Sequence, residues 1–99
     1  MYSIVYTKKA AADIPNLKSA KLDKKAKALI DLIRETPFQN PPPYEKLVGD
    51  LQGAYSRRIN IKHRLVYEVL LNSENLKDES GTPYEGVVKI ISLWTHYER

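Results

Sequence analysis

A carboxylate, two guanidiniums and an imidazole can cut a phosphodiester without metal, and Glu45, Arg58, Arg64 and His96 supply that set. Both arginines lie in Leu51-Gln52-Gly53-Ala54-Tyr55-Ser56-Arg57-Arg58-Ile59-Asn60-Ile61-Lys62-His63-Arg64-Leu65-Val66-Tyr67, which reads as a β-hairpin. Glu45 comes from an upstream loop, and His96 from a third strand closing in Thr95-His96-Tyr97. Alternate residues of a strand share a face, so Ser56, Arg58, Asn60, Arg64 and Glu68 line one side, and Tyr55, Ile59, Leu65, Tyr67, Val69 and Leu71 the other. That pattern needs an odd number of loop residues near Ile61, because an even loop sends the two arginines to opposite faces. Taken alone, arginines on the outer face of a half-exposed sheet signal a solvated surface. His63, at the turn, reads as an ordinary hydrogen-bonded strand residue. His96 ends a strand, where a side chain can project into a cleft, and an imidazole with a reference pKa of about 6.5 donates a proton near neutrality. Glu45 by itself is a surface carboxylate; its company makes it a candidate base.

The elements that must hold these residues follow from periodicity. Tyr2, Ile4 and Tyr6 alternate with Ser3, Val5 and Thr7 as a first strand. Thr7 can cap a helix from Lys8, and Pro15, which lacks a backbone donor, is expected to kink or shorten it. Leu22, Ala26, Leu29, Ile30 and Ile33 fall at helical spacing and predict a second helix ending by Thr36, ahead of Pro37. Pro37 to Tyr44, with Pro41-Pro42-Pro43, predicts an extended polyproline-like connector. Gly49 and Gly53 punctuate a turn region, and residues 72–86 form a polar insertion expected to be mobile. Val87 to Trp94 is a near-continuous apolar run, as for a central strand buried on both sides. The sum is an α+β domain in β-α-α-β-β-β order, an antiparallel sheet with two N-terminal helices on one face and the chemistry on the other.

At 99 residues the chain is expected to be one domain, 1–99. Its 42% hydrophobic and 28% charged residues are ordinary for a globular protein. No run approaches the about 18 apolar residues of a membrane helix, and no signal-peptide pattern opens the chain, so a cytoplasmic location without membrane contact is expected. The absence of cysteine excludes disulfides, thiolate metal sites and cysteine nucleophiles. Asp31 and Glu35 are one helical turn apart without a histidine beside them, a solvated pair rather than a metal site, and neither a metal nor a cofactor is expected. A net charge of +4 favours polyanionic partners without choosing among nucleic acid, membrane surface and acidic protein.

The sequence resembles the RelE/YoeB-like toxins of bacterial toxin–antitoxin pairs, most closely the YoeB (Txe) branch. The resemblance is carried by Thr36-Pro37-Phe38, Tyr44-Glu45-Lys46-Leu47, Leu51-Gln52-Gly53, Tyr55-Ser56-Arg57-Arg58-Ile59, His63-Arg64-Leu65-Val66-Tyr67 and His96-Tyr97. It covers nearly the whole chain apart from the 72–86 insertion, which is longer than usual, and the Glu98-Arg99 tail. It implies a RelE-like, microbial-ribonuclease-like fold and an mRNA interferase, a small endoribonuclease that enters the ribosomal A site, cuts mRNA and is neutralised by a small acidic antitoxin. It places the catalytic positions on Glu45, Arg58, Arg64, His96 and Tyr97. One position departs: a lysine three residues after the glutamate in the best-known members is Val48 here, with Lys46 nearby.

Chemically, RNA supplies its own nucleophile, so a protein need only take the 2′-hydroxyl proton, neutralise the phosphorane and protonate the leaving 5′-oxygen. Glu45 is the expected base, Arg58 and Arg64 the phosphate clamps, His96 the acid, and Tyr97 a stacking residue. Lys46, Tyr55, Arg57 and Lys62 are the expected RNA and ribosome contacts. Chelators are expected to leave activity untouched, and DNA to remain uncut. The competing readings are a non-catalytic basic module binding RNA or ribosomes, and a degenerate homologue that only binds an antitoxin.

Overall fold

The computed structural model describes the backbone of residues 1–96 and the side chains of residues 1–94. The order is β1 (Ser3–Tyr6), α1 (Lys8–Ser19), α2 (Asp23–Glu35), β2 (Glu45–Lys46), a 3-10 turn (Gly49–Leu51), β3 (Ala54–Arg58), β4 (His63–Leu70) and β5 (Val87–His96). The five strands form one sheet in the order β1-β5-β4-β3-β2. The α+β class and the two helices on one face agree with the sequence, but the sheet is mixed: β1 runs parallel to β5, while the other pairs are antiparallel. A four-residue strand carries no local mark of its eventual neighbour, and two intervening helices provide the crossover a parallel pair needs.

The helices form where capping and periodicity place them. The Thr7 hydroxyl accepts from the Ala10 amide and starts α1. Pro15 does not end it: α1 continues to Ser19, because packing of Ala10 and Leu17 against the sheet outweighs one lost backbone bond. In α2, Ala26, Ile30 and Ile33 are buried one turn after another, with Leu22, Leu29 and Leu32 flanking them. These meet Ile59, Leu65, Tyr67, Val88, Ile90 and Leu93 in a single core between helices and sheet. The other face of the sheet carries no helix. Val88, Ile90 and Leu93 of β5 are buried on the helix side, and on the other Ser92 is buried opposite Val66 while Val87, Lys89 and Ile91 remain partly exposed, unlike the doubly buried strand its composition predicts.

Two loops also differ from expectation. Residues 37–44 do not run as an extended polyproline segment but fold through consecutive turns, with Gln39 N–H donating to Thr36 O and cis peptides at Asn40-Pro41 and Pro41-Pro42. The 72–86 insertion closes on itself. Asn72 bridges Leu76 and Tyr84 through its side chain, the Asp78 carboxylate accepts from Ser80 and Thr82, and Lys77 pairs with Pro83. The chain's N-terminal ammonium reaches Glu85 at 2.8 Å and ties the loop to β1.

Candidate functional site

The β3–β4 register decides which residues can meet. Arg58 stands opposite Arg64, Ser56 opposite Val66 and Ala54 opposite Glu68, and Glu45 of β2 stands opposite Ser56. Directly paired residues share a face, so Glu45, Ser56, Arg58 and Arg64 lie together on the helix-free side. Ile59 through His63 separate the arginines, the odd spacing the pattern required. Glu45, expected in a loop, is the first residue of the two-residue strand β2, which fixes its backbone on β3 instead of leaving it to drift.

Within this cluster the Arg64 guanidinium Nη1 donates to Ser56 Oγ at 3.3 Å and lies 3.5 Å from Glu45 Oε1. Arg64 is 7% exposed and Ser56 1%, whereas more than half of the Glu45 side chain is open to solvent. A planar cation bonded to Ser56 and flanked by an accessible carboxylate has the chemistry to engage an anionic substrate. Arg58 is exposed beside it. Ser56 is the residue that sequence reasoning left without a role: its hydroxyl orients Arg64. The signal available was its even spacing with Arg58 on one strand.

The same parity removes three expected RNA contacts from this face. Tyr55 pairs with Tyr67 and Lys46 with Tyr55, so both side chains belong to the helix side, as does Arg57 opposite Leu65. Arg57 is 1% exposed and is not a surface cation. Its Nε donates to the Tyr67 hydroxyl, Nη1 to Pro42 O at 2.6 Å, and Nη2 to Pro37 O and Gln39 O. It holds the proline-rich connector to the sheet, with the Tyr44 ring 5.1 Å from its guanidinium carbon. Tyr55 is half-buried in an aromatic cluster with Phe38, Tyr44 and Tyr67. Lys46 is exposed on the helix side, and Val48, 84% exposed, brings no charge. Lys62 sits at the exposed hairpin tip, where Asn60 Oδ1 accepts from its amide and from that of His63.

The third strand is held beside β4 by a device on α1. Between β4 and β5 the register shifts twice, Val66 facing Ser92 while Arg64 faces Thr95. Such bulges leave amides without a ladder partner. The buried Asp13 carboxylate accepts from Leu93 N–H at 3.0 Å and Trp94 N–H at 3.2 Å, with Lys9 one turn back on the same carboxylate. His63, expected only as a hydrogen-bonded strand residue, stacks flat on Trp94 with ring centroids 3.8 Å apart. The backbone of His96 stands opposite His63, one residue past the Arg64–Thr95 pair, so its register position alternates with the one Arg64 shares with Arg58. The imidazole of His96 and all of Tyr97 lie outside the described residues.

Several known proteins are similar to this chain in sequence or shape. A model of the YoeB-like toxin of bacterial type II toxin–antitoxin systems matches residues 6–97. Toxin YoeB of Streptomyces coelicolor is 46% identical over 48 residues, 48% of this chain and 57% of that one, so the chain spans little more than half the length of the curated relatives it matches. Among solved structures, the YoeB/ParE toxin from Agrobacterium tumefaciens superposes with a TM-score of 0.73 at 28% identity, covering 96% of this chain and 99% of that one. The YoeB–YefM complex from Staphylococcus aureus gives 0.68 at 30% identity over 98% and 99%. Together with a helix-free face that gathers Glu45, Ser56, Arg58 and Arg64, the match over nearly the full length leads to one conclusion: this chain belongs to the YoeB-like toxin family of bacterial type II toxin–antitoxin systems.

Proposed function

We propose that this chain is an endoribonuclease that cuts mRNA in the ribosomal A site, and that the observation carrying this is the placement of Glu45 beside Arg64 on an uncovered sheet face. Glu45 takes the proton of a 2′-hydroxyl, and the freed oxygen attacks the adjacent phosphorus. Arg64, held by Ser56, and Arg58 neutralise the charge that grows on the non-bridging oxygens. His96 donates a proton to the departing 5′-oxygen. The products are a 2′,3′-cyclic phosphate and a 5′-hydroxyl, and the scheme uses no metal. Tyr97 stacks on a base. The neutralising partner is a small acidic antitoxin, in keeping with the family and with the antitoxin-bound relative from Staphylococcus aureus, and the site of action is the cytoplasm.

The test is cleavage of a defined mRNA on translating ribosomes with mapping of the new 5′ ends. Glu45→Gln is expected to slow cleavage by about 100-fold or more, as loss of a general base does, while RNA binding persists. A single 2′-deoxynucleotide at the scissile position is expected to block the cut. Intact message with the unmodified chain, or loss of binding in step with cleavage on Glu45→Gln, would leave a cationic binding module instead.

A further inference from the structure

A groove of about 420 Å³ runs between α2 and the end of β3, around the sheet margin from the Glu45–Arg64 cluster. Its floor is Leu29, Leu32, Pro42 and Ile59, and its charged groups are Lys25 and Arg58. The volume lies within the roughly 300–1,000 Å³ typical of small-ligand pockets. β2 pairs with β3 only at Tyr55 and Ser56, so beyond Ser56 strand β3 is the open margin of the sheet. An exposed arginine there belongs at once to the helix-free face, through its pairing with Arg64, and to the groove. Lys9 and Lys27 are each held by an acidic neighbour one helical turn away, whereas neither Lys25 nor Arg58 forms an ion pair among the described residues. Two uncompensated cations over an apolar floor complement one chemical pattern, an anion joined to a flat apolar group.

From this geometry we infer a nucleotide subsite: a residue of single-stranded RNA next to the scissile phosphate crosses the sheet margin at Arg58, lays its base on the Leu29–Leu32–Pro42 floor and sets its own phosphate against Lys25. This rests on the ribonuclease reading for the position of the scissile phosphate. It adds a recognition element on the helix side of the sheet. Base contact with an apolar floor is indifferent to base identity, so the subsite contributes affinity and register without a codon rule.

Fluorescence anisotropy with single-stranded RNA, lengthened one nucleotide at a time from either end, tests this on the Glu45→Gln chain. At one end, a single added nucleotide is expected to tighten binding several-fold. Lys25→Glu should erase that increment and lower the slope of log affinity against log salt by about 1, while leaving the shortest oligonucleotide unaffected. Lys18→Glu, an equal charge change on α1 away from the groove, should keep the increment. An abasic nucleotide at the added position should lose most of it. Equal losses in both lysine variants, an unchanged increment in Lys25→Glu, or an abasic site that binds as well as a base would each overturn the subsite. So would a Lys25→Glu chain that binds RNA normally but no longer binds an acidic Glu/Leu amphipathic peptide, which would make the groove a peptide site. Because cutting on ribosomes is measured separately, an increment without cleavage sinks the nuclease reading alone, and cleavage without an increment sinks the subsite alone.

Discussion

Arg57 and Arg58 are adjacent, chemically identical and put to opposite uses. Arg58 is exposed opposite Arg64; Arg57 is sealed under the connector, giving its protons to Tyr67, Pro37, Gln39 and Pro42. Composition cannot separate them, but alternation can, since Arg57 keeps step with Tyr55 and Ile59 on the apolar side. Arg57→Ala strips several carbonyls of their donor in a buried setting and is expected to cost about 2–4 kcal/mol, measured by denaturant unfolding. Tyr67 makes the same contact titratable. Burial pushes its phenol above the ordinary value, with Arg57 working against that shift. A folded-state pKa above the unfolded one means a contribution that is complete below about 10 and fades as pH climbs through the raised value. The denaturation midpoint should therefore fall on the alkaline side, and Tyr67→Phe should flatten that fall. An unchanged alkaline slope would remove Tyr67 as its cause.

At the level of elements, the helices and the hairpin were legible because capping and periodicity are local signals: Thr7 before Lys8, Ala26 to Ile33 at helical spacing, and apolar alternation from Tyr55 to Tyr67. What escaped were interactions between distant segments. The parallel pairing of β1 with β5 and the anchoring of the connector by Arg57 depend on partners far along the chain, and the 72–86 loop closes where Asn72 reaches Tyr84 twelve residues on. Asp13 illustrates the boundary. It falls on the apolar stripe of α1 between Ala10 and Leu17, a place where a carboxylate needs donors, yet nothing local says the donors are amides of β5. Asp13→Ala leaves Leu93 and Trp94 N–H without that acceptor, and about 2–4 kcal/mol of stability should go with it. Faster hydrogen exchange at those two amides is the specific readout. Since the strand end they hold carries His96, RNA cleavage should drop as well, and protected amides in the variant would count against this role.

For the molecule as a whole, the two faces of one sheet have separate duties. The helix side carries the core, and the bare side gathers the charged cluster, with the connector riveted across the margin. Lys46 and Tyr55 sit one residue from Glu45 and Ser56 yet take the opposite side of the sheet. That single step shows how the chain is written. In β3 two texts are interleaved, one spelling the reactive surface and the other its anchorage, and only their frame keeps them apart. Exchanging neighbours, Ser56→Arg with Arg57→Ser, preserves mass, charge and amino-acid content, yet should scramble both texts and yield a chain with no cooperative thermal melt. The order of these two neighbours, more than their kinds, therefore decides whether this chain holds together.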